Sequence, residues 1–165
     1  MKKVYFIRHA KSSWADARLP DMDRPLNDRG LRDAPFMGKL LKGRGISPDR
    51  FISSPAKRAR LTAEFIAREM DYPVVDIEFD RRIYEAHPED LLDVVRELPN
   101  HYKTVFLFGH NPSFTSLANM FAREPIDNVP TCGVFRLDSS IDDWADFSED
   151  NTALVSFDYP KQYFK

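Results

Sequence analysis

The stretch Lys2-Lys3-Val4-Tyr5-Phe6-Ile7-Arg8-His9-Ala10-Lys11 decides the fold. Residues Val4 to Arg8 are β-branched, aromatic or long, and the run breaks at Ala10-Lys11-Ser12-Ser13. That pattern predicts a short buried strand that stops at a loop. An arginine and a histidine stand together where the strand ends. Taken alone, Arg8 reads equally well as a surface charge and His9 as a hydrogen-bonded core residue. A second histidine and a second arginine near other strand ends change that reading.

Working outward, Thr104 to Phe108 repeats the apolar run and ends in Gly109-His110-Asn111-Pro112. Phe51-Ile52 is a shorter strand, followed by Ser53-Ser54-Pro55. Ser54 as cap and Pro55 as first residue would open a helix with Arg58 in its first turn. Ala59, Ala63, Ile66 and Met70 mark one face of that helix. Asn27 would cap an earlier helix through Leu31, Ala34, Gly38 and Leu41. Pro35 should kink it or delay its start to about Asp33. Pro73 to Phe79 reads as another strand. His87-Pro88 opens a third helix carrying Leu91, Val94, Val95 and Leu98. Asn111 and Pro112 open a fourth, with Phe114, Leu117, Ala118 and Phe121 as its core stripe. Val134–Leu137 and Ala153–Tyr159 are late strands with little helix between them, hence an antiparallel edge. The alternation predicts an α/β fold: a three-layer sandwich with a mostly parallel sheet and helices on both faces.

The chain has 165 residues, which favours one domain, and at 42% hydrophobic and 13% aromatic it can bury a full core. Net charge is −2, so no overall basic field invites nucleic acid or an anionic membrane; an anion site must be built locally. One cysteine, Cys132, excludes an internal disulfide framework and a thiolate metal cluster. No apolar run approaches the length of a signal peptide or a membrane span, so a cytoplasmic protein is expected.

In open α/β sheets the ligand crevice lies outside the carboxyl ends of the strands. Arg8-His9, Ser53-Ser54-Pro55 with Arg58, and Gly109-His110 should therefore converge near two helix N-termini. Arginine forks match phosphate oxygens in pairs, and helix N-termini favour anions. The chemistry alone predicts a phosphate site. A neutral imidazole is a competent nucleophile near pH 7 and can carry a phosphoryl group, with arginines neutralising the oxygens without Mg²⁺. No GxxxxGK[ST] string exists, which excludes a nucleotide P-loop.

Arg8-His9 after an N-terminal strand, Ser53-Ser54-Pro55 with Arg58, and Gly109-His110-Asn111 resemble the histidine phosphatase superfamily, with its phosphoglycerate-mutase-like fold. The string RHAKSSW and Asp23-Arg24-Pro25-Leu26 resemble its short phosphohistidine phosphatase branch. The resemblance spans Lys3 to about Phe121. It implies that His9 accepts the phosphoryl group, that Arg8, Arg58 and His110 bind phosphate and stabilise the transition state, and that no cofactor or metal is needed. Two departures stand out. Ala10 replaces the usual glycine after the Arg-His pair, and no acid is plainly the donor to the leaving group. Glu85, in Ile83-Tyr84-Glu85-Ala86, is the first candidate, because larger members place a glutamate in the corresponding region. Asp21 and Asp23 are alternatives, and Glu85 reads almost as well as a solvated loop carboxylate. A phosphoramidate leaves as a nitrogen that solvent can protonate, so phosphohistidine hydrolysis needs such a donor less.

The remaining candidates read as structural. His87 sits at a helix cap and His101 in a turn, with no spacing that makes a metal site. Trp14 and Trp144 lie in loops, to pack or to cover a pocket mouth. Cys132 reads as a buried strand residue. Lys57 and Arg60 are a solvated face, or a lure for an acidic protein. Three functions compete: a metal-independent phosphatase acting on phosphohistidine in proteins, a phosphatase of small phosphate esters or sugar phosphates, and a non-catalytic phosphate- or phosphoprotein-binding module. A mutase is disfavoured, since the chain is short for a large substrate-holding insertion.

Overall fold

The structure, a computed structural model, describes residues 1–164. In chain order it contains β1 (Lys2–Arg8), α1 (Asp28–Gly43), β2 (Arg50–Ser53), α2 (Lys57–Glu69), β3 (Glu78–Phe79), α3 (Pro88–Arg96), β4 (Thr104–Gly109), α4 (Ser113–Phe121), β5 (Val134–Ser139) and β6 (Thr152–Asp158). The six strands form one sheet in the order β3-β2-β4-β1-β5-β6. The first four in that order are parallel, and β5 and β6 add an antiparallel edge. This is the α/β architecture, a mostly parallel sheet with an antiparallel edge, that the alternation of elements predicts.

The central strands are apolar without alternation because both faces are covered. Val4 and Phe6 of β1 pack with α3 and α4, through Leu91, Val95, Phe114 and Leu117. Tyr5 and Ile7 pack with α1 and α2, through Met37, Leu41, Ala63 and Ile66. Phe6 stacks on Phe135 at 5.0 Å and meets Phe114 edge-on at 5.4 Å. The Phe114, Leu117, Ala118 and Phe121 stripe is core, as its spacing predicts.

Several local expectations are corrected. Helix α1 begins at Asp28 and runs through Pro35. The Asn27 side chain caps it at the Gly30 N–H, 2.9 Å away, and Ala34, Met37 and Leu41 anchor it on both sides of the proline. The carbonyl that Pro35 leaves without a partner belongs to Leu31, which is exposed instead of joining the buried face. Helix α2 starts at Lys57, three residues after Ser54, because the Ser54 oxygen accepts the Ala56 N–H in a turn of its own. The Pro73–Phe79 strand shrinks to Glu78–Phe79, since Val74–Asp76 coil into a 3-10 turn behind the proline. Helix α4 starts at Ser113, and the Asn111 carboxamide accepts from Thr115 one turn further on. Cys132 is buried but precedes β5 in a turn with φ +59°, where its N–H serves the carbonyls of Arg8 and His9. Trp144 is fully buried and donates to the Tyr102 carbonyl, whereas Trp14 is exposed, lying 3.5 Å from the Arg24 guanidinium.

Candidate active site

Sheet register builds the site. In the β1–β4 pair Arg8 lies opposite Gly109, so His9 and His110 leave adjacent strands at the same height. Their ring centroids are 5.2 Å apart. The His9 N–H donates to the Gly109 carbonyl, which locks the two strand ends together. On the other side of β4, Ser53 pairs with Phe108 and the Ser54 N–H continues the ladder to the Phe108 carbonyl. Three strands thus end flush, and Arg58 comes down from the first turn of α2. Gly109 leaves room for this: a Cβ there would fall 2.7 Å from the Phe114 ring and 2.8 Å from Ile83.

His9 is buried, and its Nδ1 lies 2.8 Å from the Ala10 carbonyl. A carbonyl only accepts, so Nδ1 carries the proton and Nε2 keeps the lone pair. Burial holds the ring well below the ordinary histidine pKa; the Ala10 carbonyl opposes this, and the charges of Arg8 and Arg58 add to it. His9 is therefore a neutral imidazole near pH 7. The Ala10 peptide is fixed in turn. Its N–H donates to Thr62 Oγ1 at 2.9 Å, and the Thr62 hydroxyl donates to the Arg58 carbonyl at 2.7 Å.

His110 Nε2 lies 2.8 Å from the Ser54 hydroxyl. Burial, then the Arg58 charge, presses its pKa down to about 3, so this ring is neutral too. Arg8 donates to the Val129 carbonyl at 3.0 Å. Among the described residues, the buried side-chain nitrogens and oxygens that lack a partner are Arg8 Nε, Arg58 Nε and His110 Nδ1. Each such group costs about 1–3 kcal/mol when left unsatisfied. All three belong to the cluster that the sequence assembles.

The first loop supplies a partner for Arg58. Asp21 reaches across the pocket to Arg58, accepting from Nη2 at 3.0 Å with its carboxylate and from Nη1 at 2.8 Å with its carbonyl. The Tyr84 hydroxyl donates to the same carboxylate at 2.7 Å, and Arg24 adds a contact at 3.2 Å. Although burial works against it, hydrogen bonds from Tyr84 and Arg58 hold the Asp21 carboxyl down to about 2. Asp21 is thus ionised and is a poor proton donor, against its candidacy for that role. Asp23 is exposed and does not line the pocket.

The pocket has a volume of 420 Å³ and is walled by Asp21, Arg58, Tyr84, Glu85, His110, Asn111 and Ser113. Glu85 is thereby brought to the site, with a backbone φ of +54° that a non-glycine residue rarely adopts. His87 also borders this pocket while preceding α3 as its cap. His101 is exposed in a distant turn, and Arg60 is engaged with Glu64 at 3.1 Å. Among the described residues no group of histidine, cysteine and acidic side chains could hold a metal ion. Among the described residues no helix is long and apolar enough to cross a membrane. Thr62 and Tyr84 escape sequence reasoning as site residues, and Ser54, placed by it at a converging strand end, escapes as the partner of His110. Their one signal is position: Ser54 beside a strand end, Thr62 one helical turn beyond Arg58, Tyr84 next to Glu85.

Comparison with known proteins places the chain in a family. Residues 4–123 match the model of the histidine phosphatase superfamily, branch 1. An uncharacterized protein of Mycobacterium tuberculosis is 31% identical, over 94% of this chain and all of that one. A 2,3-bisphosphoglycerate-dependent phosphoglycerate mutase of Bacteroides fragilis is 33% identical, but over 55% of this chain and 38% of its own length. Among solved structures, a candidate phosphohistidine phosphatase SixA from Agrobacterium tumefaciens superposes with a TM-score of 0.80 at 30% identity, covering 96% of this chain and 98% of that one. The protein histidine phosphatase SixA complexed with tungstate shares the fold, with a TM-score of 0.82 at 20% identity. The chain belongs to the histidine phosphatase superfamily and is a phosphatase-type enzyme of the phosphoglycerate-mutase-like fold.

Proposed function

We propose that this chain is a metal-independent phosphatase that forms a phosphohistidine intermediate on His9 and acts on phosphohistidine in proteins. The observation that carries the reading is the forced tautomer of His9: a neutral ring whose Nδ1 proton is tied to Ala10, leaving the Nε2 lone pair for attack. Nε2 attacks phosphorus and the bond from phosphorus to the leaving nitrogen breaks. The leaving imidazole takes a proton from water or from Glu85. Arg8 and Arg58 neutralise charge on the phosphoryl oxygens, and the neutral His110 ring donates a hydrogen bond to them. Water then attacks the phosphorus on His9, the P–N bond breaks, and inorganic phosphate leaves with a proton released to solvent.

Likeness along its whole length to a candidate phosphohistidine phosphatase supports the protein substrate. A second reading, hydrolysis of small phosphate esters, gains from Glu85, which shares the pocket wall with Arg58 and His110 and can donate to an oxygen leaving group. The test is covalent labelling with a phosphohistidine protein carrying radioactive phosphate. The wild-type chain should trap label that is stable to base and lost in acid, and His9→Ala should trap none and show no turnover. Turnover retained by His9→Ala would eliminate the mechanism.

A further inference from the structure

Two histidines 5.2 Å apart have opposite duties in the reading above, on which this inference rests. His9 must present a lone pair. His110 must present a hydrogen to an oxyanion, yet both rings are neutral near pH 7. A neutral imidazole has one N–H and one lone pair, so duty is a matter of tautomer. The partner of the second nitrogen decides it. For His9 that partner is a carbonyl. For His110 it is the hydroxyl of Ser54, which is fully buried and can either give or take.

The surroundings of Ser54 remove the ambiguity. Its oxygen already accepts the Ala56 N–H at 3.2 Å, and the His110 ring is the acceptor left for its hydrogen. Were Nε2 to carry the proton of His110, the buried hydroxyl hydrogen would lack a partner, and Nδ1 would turn a lone pair towards an incoming oxyanion. With the hydroxyl donating, Ser54 is satisfied as donor and as acceptor. The ring proton then lies on Nδ1, the buried atom that has no partner in the protein. We propose that Ser54 is a positioning residue: its hydroxyl donates to His110 Nε2, fixes the ring proton on Nδ1, and so makes His110 a hydrogen-bond donor to the phosphoryl oxygens.

The expected signature is spectroscopic. In ¹⁵N-histidine-labelled protein, free and loaded with inorganic phosphate, His110 should show a protonated Nδ1 and a bare Nε2. Ser54→Ala should lose that fixed tautomer and bind inorganic phosphate roughly 10-fold more weakly, the size of one lost buried hydrogen bond. Ser54→Thr, which keeps the hydroxyl, should restore the tautomer. A protonated Nε2 in the wild-type protein overturns the proposal without any variant. So does a Ser54→Ala protein that keeps both the tautomer and the affinity. Wild-type protein that binds no phosphate would instead sink the phosphatase reading, while its free-state tautomer still judges Ser54.

Discussion

At the scale of residues, the site works by giving identical side chains different neighbours. His9 and His110 share type, burial and charge state, and differ in what holds the nitrogen turned away from the reaction. The path behind His9 runs through Thr62, which takes the Ala10 N–H and gives its own hydrogen to the Arg58 carbonyl. One hydroxyl thereby ties the loop after His9 to the helix that carries Arg58. Thr62→Val keeps the shape and deletes both bonds, leaving a buried N–H unsatisfied. Stability should fall by about 1–3 kcal/mol. Phosphorylation of His9 should slow about 10-fold or more in rapid-quench labelling, through loss of orientation. An unchanged labelling rate would show that Ala10 holds its place unaided.

Burial of the two rings also sets acid sensitivity. An unfolded chain protonates both near pH 6.5, whereas the folded chain resists down to about 3 at His110. Between those values the unfolded state binds more protons, so stability falls as pH falls. Asp21 acts in the same direction lower down: its stabilisation is complete above the ordinary 3.8 and is lost as pH approaches about 2. The urea midpoint should therefore decline steadily below pH 6.5, and less steeply in His110→Gln. A flat profile in the wild-type protein would contradict neutral, buried imidazoles. At this scale the sequence is legible where a polar pair interrupts an apolar run, as at Arg8-His9 and Gly109-His110. It is illegible at Thr62, and at Asp21 it shows a candidate acid but not the partner of Arg58. A threonine inside a polar-looking helix turn and an aspartate in an aperiodic loop acquire meaning through contacts 52 and 37 residues away.

At the scale of elements, the strand ends matter more than the strands. β1, β4 and β2 were readable from composition because both faces of each are covered, so their apolar runs are unbroken. Helix starts were less readable. Ser54 and Asn111 have the chemistry of caps, but each spends its side chain within a turn or at the site, and the helices begin two or three residues later. Pro35 misled in the opposite sense, because helix α1 is fastened on both sides of it. The close approach at Gly109 gives this scale its own test. A methyl group there must displace the Phe114 ring, the first buried aromatic of α4, or Ile83 beside the Tyr84–Glu85 wall. Gly109→Ala should cost about 1–3 kcal/mol in denaturant unfolding. Phosphate affinity should drop with it, since His110 follows directly. Full stability would mean that α4 shifts freely, and the rigid strand-end account would fail.

At the scale of the whole molecule, three segments far apart in sequence enclose one pocket: the first loop through Asp21, the Tyr84–His87 turn, and the start of α4. In the proposed mechanism the strand ends and the first turn of α2 carry the attacking and phosphate-binding groups, and the loops supply the wall that a leaving group meets. That division separates the two substrate classes. A phosphoramidate needs little from the wall, because its leaving nitrogen gains a proton from solvent; an ester needs a donor in place. Glu85 is the wall's carboxyl group nearest that duty, since Asp21 is committed to Arg58, Tyr84 and Arg24. Glu85→Gln should therefore cut turnover of simple phosphomonoesters about 10²-fold or more, the usual worth of a positioned acid, and leave phosphohistidine hydrolysis within a few-fold of wild type. Both activities should persist in EDTA, because guanidinium groups rather than a cation neutralise the oxygens. Equal loss on both substrates would assign Glu85 to binding instead of proton donation. Loss in EDTA that a divalent cation restores would move the chemistry to a metal and away from His9.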